Sequence, residues 1–298
     1  ENVIGYLYNM DSRAKNLLLM HFVILIFGFT GILGKLISID AIPLVFWRTA
    51  IGAVTIYLWL KLQHKVTKKS WATIAKLGGV GILIAIHWVT FFASIKASNV
   101  SIALTMLAVS PMFVGFLEPL FFRRKIDPKE IFIAAVIILG VSVTLRYSSG
   151  YEWGVFLGLI SALFASLFTT INGVLVKEHD ASNLSLVELS VGSLALFLFM
   201  AVRGEVGLEF VRLEILDWVY ITILGVVATS FAFIAYTHVM KVLTPFTTTV
   251  AINLEPIYSI ILAVLIFGEE EIMGVQFYIG ASIIIGAVIL NTIVKRKK

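Results

Sequence analysis

AINLEPIYSIILAVLIFGEEE, residues 251–271, is an apolar run broken early by Asn253, Glu255 and Pro256 and ended by three glutamates. A charged side chain at the centre of a membrane helix costs about 2.5–3.5 kcal/mol on insertion scales. A proline removes a backbone hydrogen bond, and Pro256 would free the carbonyl of Ile252. Such lesions are tolerated where neighbouring groups or a water-filled path satisfy the freed backbone. Glu-Pro therefore reads as a bent, polar-lined membrane helix facing a transport path. The competing reading is a packing kink, with Glu255 a buried structural partner of a hydroxyl or of Arg48.

The rest of the chain supports a membrane setting. Of its 298 residues 59% are apolar and 14% charged, with a mean hydropathy of +1.00. A soluble chain of this length carries far more charge. There is no cysteine, which excludes disulfides, thiolate nucleophiles and Cys-ligated metals. The net charge of +5 sits in short clusters between apolar runs, a pattern that does not suit nucleic-acid binding.

A membrane helix needs about 20 mostly apolar residues. Ten runs qualify: 17–37, 43–62, 71–95, 99–122, 129–146, 153–176, 184–202, 216–240, 245–267 and 273–293. The expected fold is an all-α polytopic membrane protein of ten transmembrane helices. No connector is long enough for a separate soluble domain. Sixteen Lys and Arg fall on the N-terminal side of the membrane and five on the other, among them Lys35, Lys96 and Arg203. The positive-inside rule then places both termini in the cytoplasm. Residues 1–9 precede MDSRAKN, which reads as a natural start at Met10, so they are expected to be non-native.

The two halves share a rhythm. An offset of 145 lays 96–122 over 241–267 and matches Lys96 with Lys241, Pro111 with Pro256, Leu117 with Leu262 and Phe122 with Phe267. Five spans per half invert the second half relative to the first, which places a binding site near the midplane between them. The expected segments are an N-terminal stretch 1–15, a five-helix repeat over 16–147, a second over 152–293 and a basic tail, 294–298.

FWRTAIGA at 46–53, SPMFVGFLEPLFF at 110–122 and LEPIYSIILAVLIFGEE at 254–270 together resemble the EamA-type family of the drug/metabolite transporter superfamily. The resemblance covers about residues 16–293. It implies a ten-helix inverted-repeat carrier of the bacterial inner membrane that moves amino acids and other small metabolites, often outward. It also implies a central cavity bordered by spans one, three, four, six, eight and nine. Glu118 within span four departs from what the family leads one to expect.

Few ionisable residues are expected inside the membrane: Arg48, Glu118, Glu255, His21, His87 and His238. Asp217 is expected in a connector. The candidate cavity lining is His87, Trp88, Phe91, Ser110, Asn172, Tyr236, Asn253 and Glu255. Helical spacing puts Thr244, Thr248, Glu255 and Ser259 on one stripe. Arg48 either holds a substrate carboxylate or pairs with an acidic residue. Glu118 is a candidate gate or a local partner of Arg123 and Arg124. Pro111, Pro119 and Pro256 are expected to kink spans four and nine. The aromatics of HWVTFF (87–92) either stack on a substrate or pack against helices or lipid. Gly28, Gly31 and Gly34 form a small surface for close helix approach.

HExxH, GxSxG and nucleotide-binding motifs are absent, so zinc proteases, nucleophile-elbow hydrolases and ATP-driven pumps lose their chemistry. The expected function is secondary transport of a small metabolite, an amino acid being one class, through a midplane cavity in the lipid bilayer. Proton coupling stays open, as does the choice between monomer and homodimer. No cofactor, metal or nucleic acid is expected. The alternatives are an uncoupled facilitator or lipid-headgroup flippase of the same fold and, from another class, a membrane enzyme or scaffold.

Overall fold

The structure, a computed structural model, describes residues 12–123, 125–126, 128–146, 148–243, 248, 251–252 and 254–295, with side chains described from Lys15 to Leu290 within those ranges, Glu209 excepted. The chain runs through α1 (Ser12–Leu36), α2 (Ala41–Leu62), α3 (Trp71–Ala97), α4 (Val100–Leu107), α5 (Ser110–Phe122), α6 (Pro128–Arg146), α7 (Glu152–Leu175) and α8 (Ala181–Val202). A short 3₁₀ turn at Leu208–Phe210 leads to α9 (Ile215–Ile223), a π-helical stretch (Leu224–Phe231) and α10 (Ala232–Val239). The described chain closes with α11 (Glu255–Phe267), a 3₁₀ turn at Gly268–Glu271 and α12 (Val275–Lys295).

Among the described residues, eight helical segments are long and apolar enough to cross a membrane. They run from Lys15–Leu36 to Ile215–Val239; α4 with α5, and α9 with α10, each act as one span. The expected ninth span falls partly on residues outside those described. Of the expected tenth, Val275–Leu290 is a shorter apolar helix. In the connector between α8 and α9, Phe210 stacks on Trp47 at 5.0 Å between ring centroids.

Capping residues set several starts. Ser70 accepts from the N–H of Thr73, Asn99 from Ile102, and Asp180 from Ser182 and Asn183. Glycine lets the helices meet. A Cβ at Gly28 would sit 3.0 Å from Ser259 Oγ, and one at Gly31 would sit 3.1 Å from a Val100 methyl. One at Gly34 would overlap Phe92. The small face of α1 thus lies against α11, α4 and α3, the close approach that small residues permit in membranes.

The prolines are placed differently from expectation. Pro111 and Pro256 are not mid-helix kinks; each is the second residue of a helix, α5 and α11. There the missing N–H is one that a helix start leaves unpaired anyway. Span four is therefore a broken helix rather than a bent one, interrupted at Ala108 and Val109. Pro119 does lie inside α5. Asp217, expected in a connector, belongs to the first turn of α9, where its carboxylate accepts from the backbone N–H and hydroxyl of Ser38.

Candidate functional site

The break in span four brings a backbone problem with it, and Ser110 solves it. Its Oγ donates to the carbonyl of Leu107 at 2.6 Å, the group left without a helical donor by Pro111. Ser166 on α7 donates to the carbonyl of Ser110 at 2.9 Å. The break is thereby satisfied internally and tied to a neighbouring helix, as backbone at membrane depth requires. Glu255 occupies the matching position of α11, first residue before a proline. Two half-helix N-termini thus meet one cavity, and that cavity is lined by both Ser110 and Glu255.

The cavity is walled by rings: Phe27 from α1, Trp88 and Phe91 from α3, Phe168 from α7, and Phe233 and Tyr236 from α10. Its volume is about 70 Å³, counted as space open to a water molecule's centre. Arg48 from α2 and His87 from α3 complete the lining with Thr30, Leu107, Ala165, Thr169 and Ile252. Span two is thus part of the border, which the expected set of spans omits.

Arg48 is held from three sides. Its Nε donates to Thr229 Oγ1 at 2.6 Å, and its guanidinium lies 4.0 Å from the Trp88 ring centroid and 5.5 Å from that of Phe92. Its remaining short contact, 3.5 Å, is to the carbonyl of Ala228. Ala228 and Thr229 belong to the π-helical stretch, whose wider turn offers a carbonyl and a hydroxyl to a neighbour. Gly225 and Gly52 make the crossing close: a Cβ at Gly225 would press on Ile51, one at Gly52 on Thr229. Glu255 attracts Arg48 through space. Among the described residues no ion pair joins them; the guanidinium's bonds go to α9–α10 instead.

The other polar residues are tethered. His87 Nδ1 lies 2.8 Å from Ser161 Oγ, which donates in turn to the His87 carbonyl at 3.0 Å. The Tyr236 hydroxyl is 3.1 Å from Thr169 Oγ1, and its ring meets Phe27 edge-on. Ser259 donates to the carbonyl of Gly28 at 2.9 Å and so serves helix packing.

Of the expected lining, His87, Trp88, Phe91, Ser110, Tyr236 and Glu255 border the cavity, and Arg48 joins them. Asn172 does not; it is fully buried between helices beside Glu188. Asn253 lies outside the described residues. Glu118 is buried within α5, away from the cavity lining. Two acidic residues escape the sequence reading. Glu188 lies well inside α8 and has no exposed surface. Glu271 is also without exposure and binds Lys35, Val100 and Ser101.

Comparison with known proteins gives this geometry a setting. The chain matches the EamA-like transporter family twice, over residues 14–146 and 152–293. It is 23% identical over 268 residues to "Uncharacterized transporter YxxF" of Bacillus subtilis (strain 168), covering 85% of this chain and 83% of that one. It is 25% identical over 159 residues to "Pseudopaline exporter CntI" of Pseudomonas aeruginosa, 53% of this chain and 55% of that one. A solved crystal structure superposes with a TM-score of 0.71 at 14% identity, over 96% of this chain and all of that chain. That likeness concerns the fold alone.

Proposed function

The chain belongs to the EamA-like transporter family, and from that premise we propose that it carries small zwitterionic metabolites, amino acids among them, out of the cell by alternating access. It is a membrane transporter and not an enzyme, as the family and its named relatives are transporters. One observation carries the substrate class: Arg48 and Glu255 face the same aromatic-walled cavity without bonding each other. A guanidinium suits a carboxylate, and a carboxylate suits an ammonium. The rings suit the apolar part of the solute. An exporter among the relatives supports the outward direction.

The proposed architecture is ten spans in two inverted repeats, 16–147 and 152–293, with both termini cytoplasmic in a bacterial inner membrane. The paired family matches support it. So do Ser110 and Glu255, which the 145-residue offset relates and which both open half-helices onto the cavity. Discontinuous helices at a repeat interface are a recurring carrier device. Uptake of labelled amino acids by proteoliposomes containing the purified chain tests the reading. Expected is counterflow of at least one zwitterion. Failure of a full amino-acid panel, with protein correctly inserted, overturns the substrate class.

A further inference from the structure

Glu188 is an acidic side chain well inside a membrane helix that does not line the cavity. It sits two turns into α8, with no exposed surface. Neither carboxylate oxygen makes a well-formed hydrogen bond, and neither polar atom of Asn172 on α7 does, although the Asn172 amide is close enough for a loose contact with the carboxyl. The two adjacent groups leave most of their hydrogen-bonding capacity unspent, beside the unpartnered hydroxyl of Ser185 one turn earlier. An ionised carboxylate so placed has at most a loose amide contact and a neighbouring hydroxyl to stabilise it, which is costly in a dry interior.

The charged groups on the helices packed against α8 are engaged or distant, and buried Glu118 lies on α5, which packs against α7, the helix of Asn172. On α2, Arg48 is bound to Thr229, and Lys61 is exposed at the helix end. On α3, Lys76 pairs with Glu178, His87 is bound to Ser161, and Lys96 lies at the far end, donating to the carbonyl of Ile37. Asp217 at the start of α9 binds Ser38, His238 on α10 is exposed, and Glu152 opens the opposite end of α7 from Asn172. The packing around Glu188 is also tight. A Cβ at Gly81 on α3 would strike the Glu188 carbonyl, and one at Gly192 would lie 2.6 Å from the Gly81 carbonyl. A proton fits there where a metal ion or an ammonium would need space.

We propose that Glu188, with Asn172, is a proton-binding site separate from the central cavity, occupied while α3 packs over it at Gly81 and emptied when α3, α7 and α8 part. Protonated, the carboxyl needs one acceptor, and the Asn172 amide oxygen is beside it. Ionised, it needs more donors than Asn172 and Ser185 offer, and water entering from the 176–180 side supplies them. Alkaline conditions then favour the conformation that opens this side, and the proton becomes a transport partner. This deepens the carrier reading but does not depend on Arg48, Glu255 or the identity of the solute.

The test needs no substrate. Infrared difference spectra of wild type and Glu188→Gln in bilayers at neutral pH are expected to show a protonated-carboxyl band lost in the variant. In parallel, a single cysteine at position 179 reports opening of that side in the wild-type background. Its labelling rate, divided at each pH by that of a cysteine at exposed position 66 to remove thiolate reactivity, is expected to rise with pH by up to about tenfold per unit, the limit for one coupled proton. Glu188→Gln flattens that profile, whereas a purely structural role would shift thermal stability and leave the profile's shape alone. A wild-type labelling ratio independent of pH overturns the proposal even if the variant fails to fold. So does an unchanged infrared spectrum in a folded variant.

Discussion

Glu271 and Lys35, 236 residues apart in sequence, meet at 2.9 Å at one end of the bundle. Glu271 also accepts from the backbone N–H groups of Val100 and Ser101, at 3.1 and 3.0 Å, and from the Ser101 hydroxyl at 2.9 Å. These N–H groups open α4, where helix donors lack partners and negative charge is favoured. A single buried carboxylate thus clamps α1, α4 and the turn before α12. Glu271→Gln keeps an acceptor but loses the charge. The expected cost is about 1.5–3 kcal/mol in detergent thermal unfolding, the range for hydrogen bonds to charged groups. A cysteine at position 40, on the same end, is expected to label faster in this variant. An unchanged rate would mean that the clamp does not hold this side shut.

That clamp shows where sequence reading stops. Glu269, Glu270 and Glu271 look alike as an acidic run, yet Glu270 is largely exposed and Glu271 is not. Only the tertiary fold brings α4's start to one of the three. Glu188 was hidden for a different reason. It sits near the start of the expected span 184–202, closely enough to pass for an end residue, and α3 packs over it at Gly81. The cavity was more legible, because Arg48, Ser110 and Glu255 are each anomalous in an apolar helix and each marks the site's border. Asn172 is anomalous in the same way but points to Glu188, since composition tells that a polar group is buried and not what it faces. Prolines revealed the site's depth but not whether the helix bends or breaks there.

The α3–α8 crossing makes a sharp packing prediction. Gly81→Ala puts a methyl against the Glu188 carbonyl, a backbone atom that cannot rotate aside. Overpacking of this kind typically costs about 1–3 kcal/mol. Gly79→Ala, two residues away with nothing within 4 Å, provides the control. It is expected to be neutral or to stabilise by up to about 1 kcal/mol through helix propensity. Equal melting temperatures for the two variants would contradict the close crossing.

Asp180 gives a pH-dependent stability outside the membrane helices. Partial burial pushes its carboxyl up, but hydrogen bonds from Asn183 and the Ser182 N–H, with Lys241 nearby, outweigh that and hold it below 3.8. A depressed carboxylate contributes stability that is present above its ordinary value and lost as pH falls through its folded value. Asp180→Ala is therefore expected to lower stability by about 1 kcal/mol near neutrality, as for a lost N-cap. The gap between variant and wild type should close as pH drops below 3.8. A gap that stays constant into acid would show that the charge is not what caps α8.

The proposed orientation can be checked without background, because the chain has no cysteine. Single cysteines at positions 66, 126 and 179 are expected to react with an impermeant reagent only from the cytoplasmic side. Those at 40, 150 and 207 are expected to react only from outside. Labelling of position 66 in intact cells would reverse the topology.

The sharpest prediction concerns Arg48 and Glu255 together. Arg48 is anchored to Thr229 and stacked on Trp88, so its place does not depend on Glu255. Arg48→Ala is expected to cost about 1.5–3 kcal/mol of stability from the lost charged hydrogen bond. Glu255→Gln keeps the size and removes an intramembrane charge, so it is expected to insert and fold. If the two residues hold opposite ends of a zwitterion, the double variant is expected to regain no more stability than their through-space attraction accounts for, since they share no bond. Each single variant should lose transport by at least about tenfold, because one lost contact of about 1.4 kcal/mol already gives that factor. If instead they form a structural pair, Arg48→Ala strands a buried carboxylate, and adding Glu255→Gln restores part of the stability. Melting temperatures and liposome counterflow for the two singles and the double distinguish these outcomes. Rescue of stability beyond that through-space attraction, or wild-type counterflow in Glu255→Gln, would remove the zwitterion from the cavity and leave Glu255 as a packing residue at the head of α11.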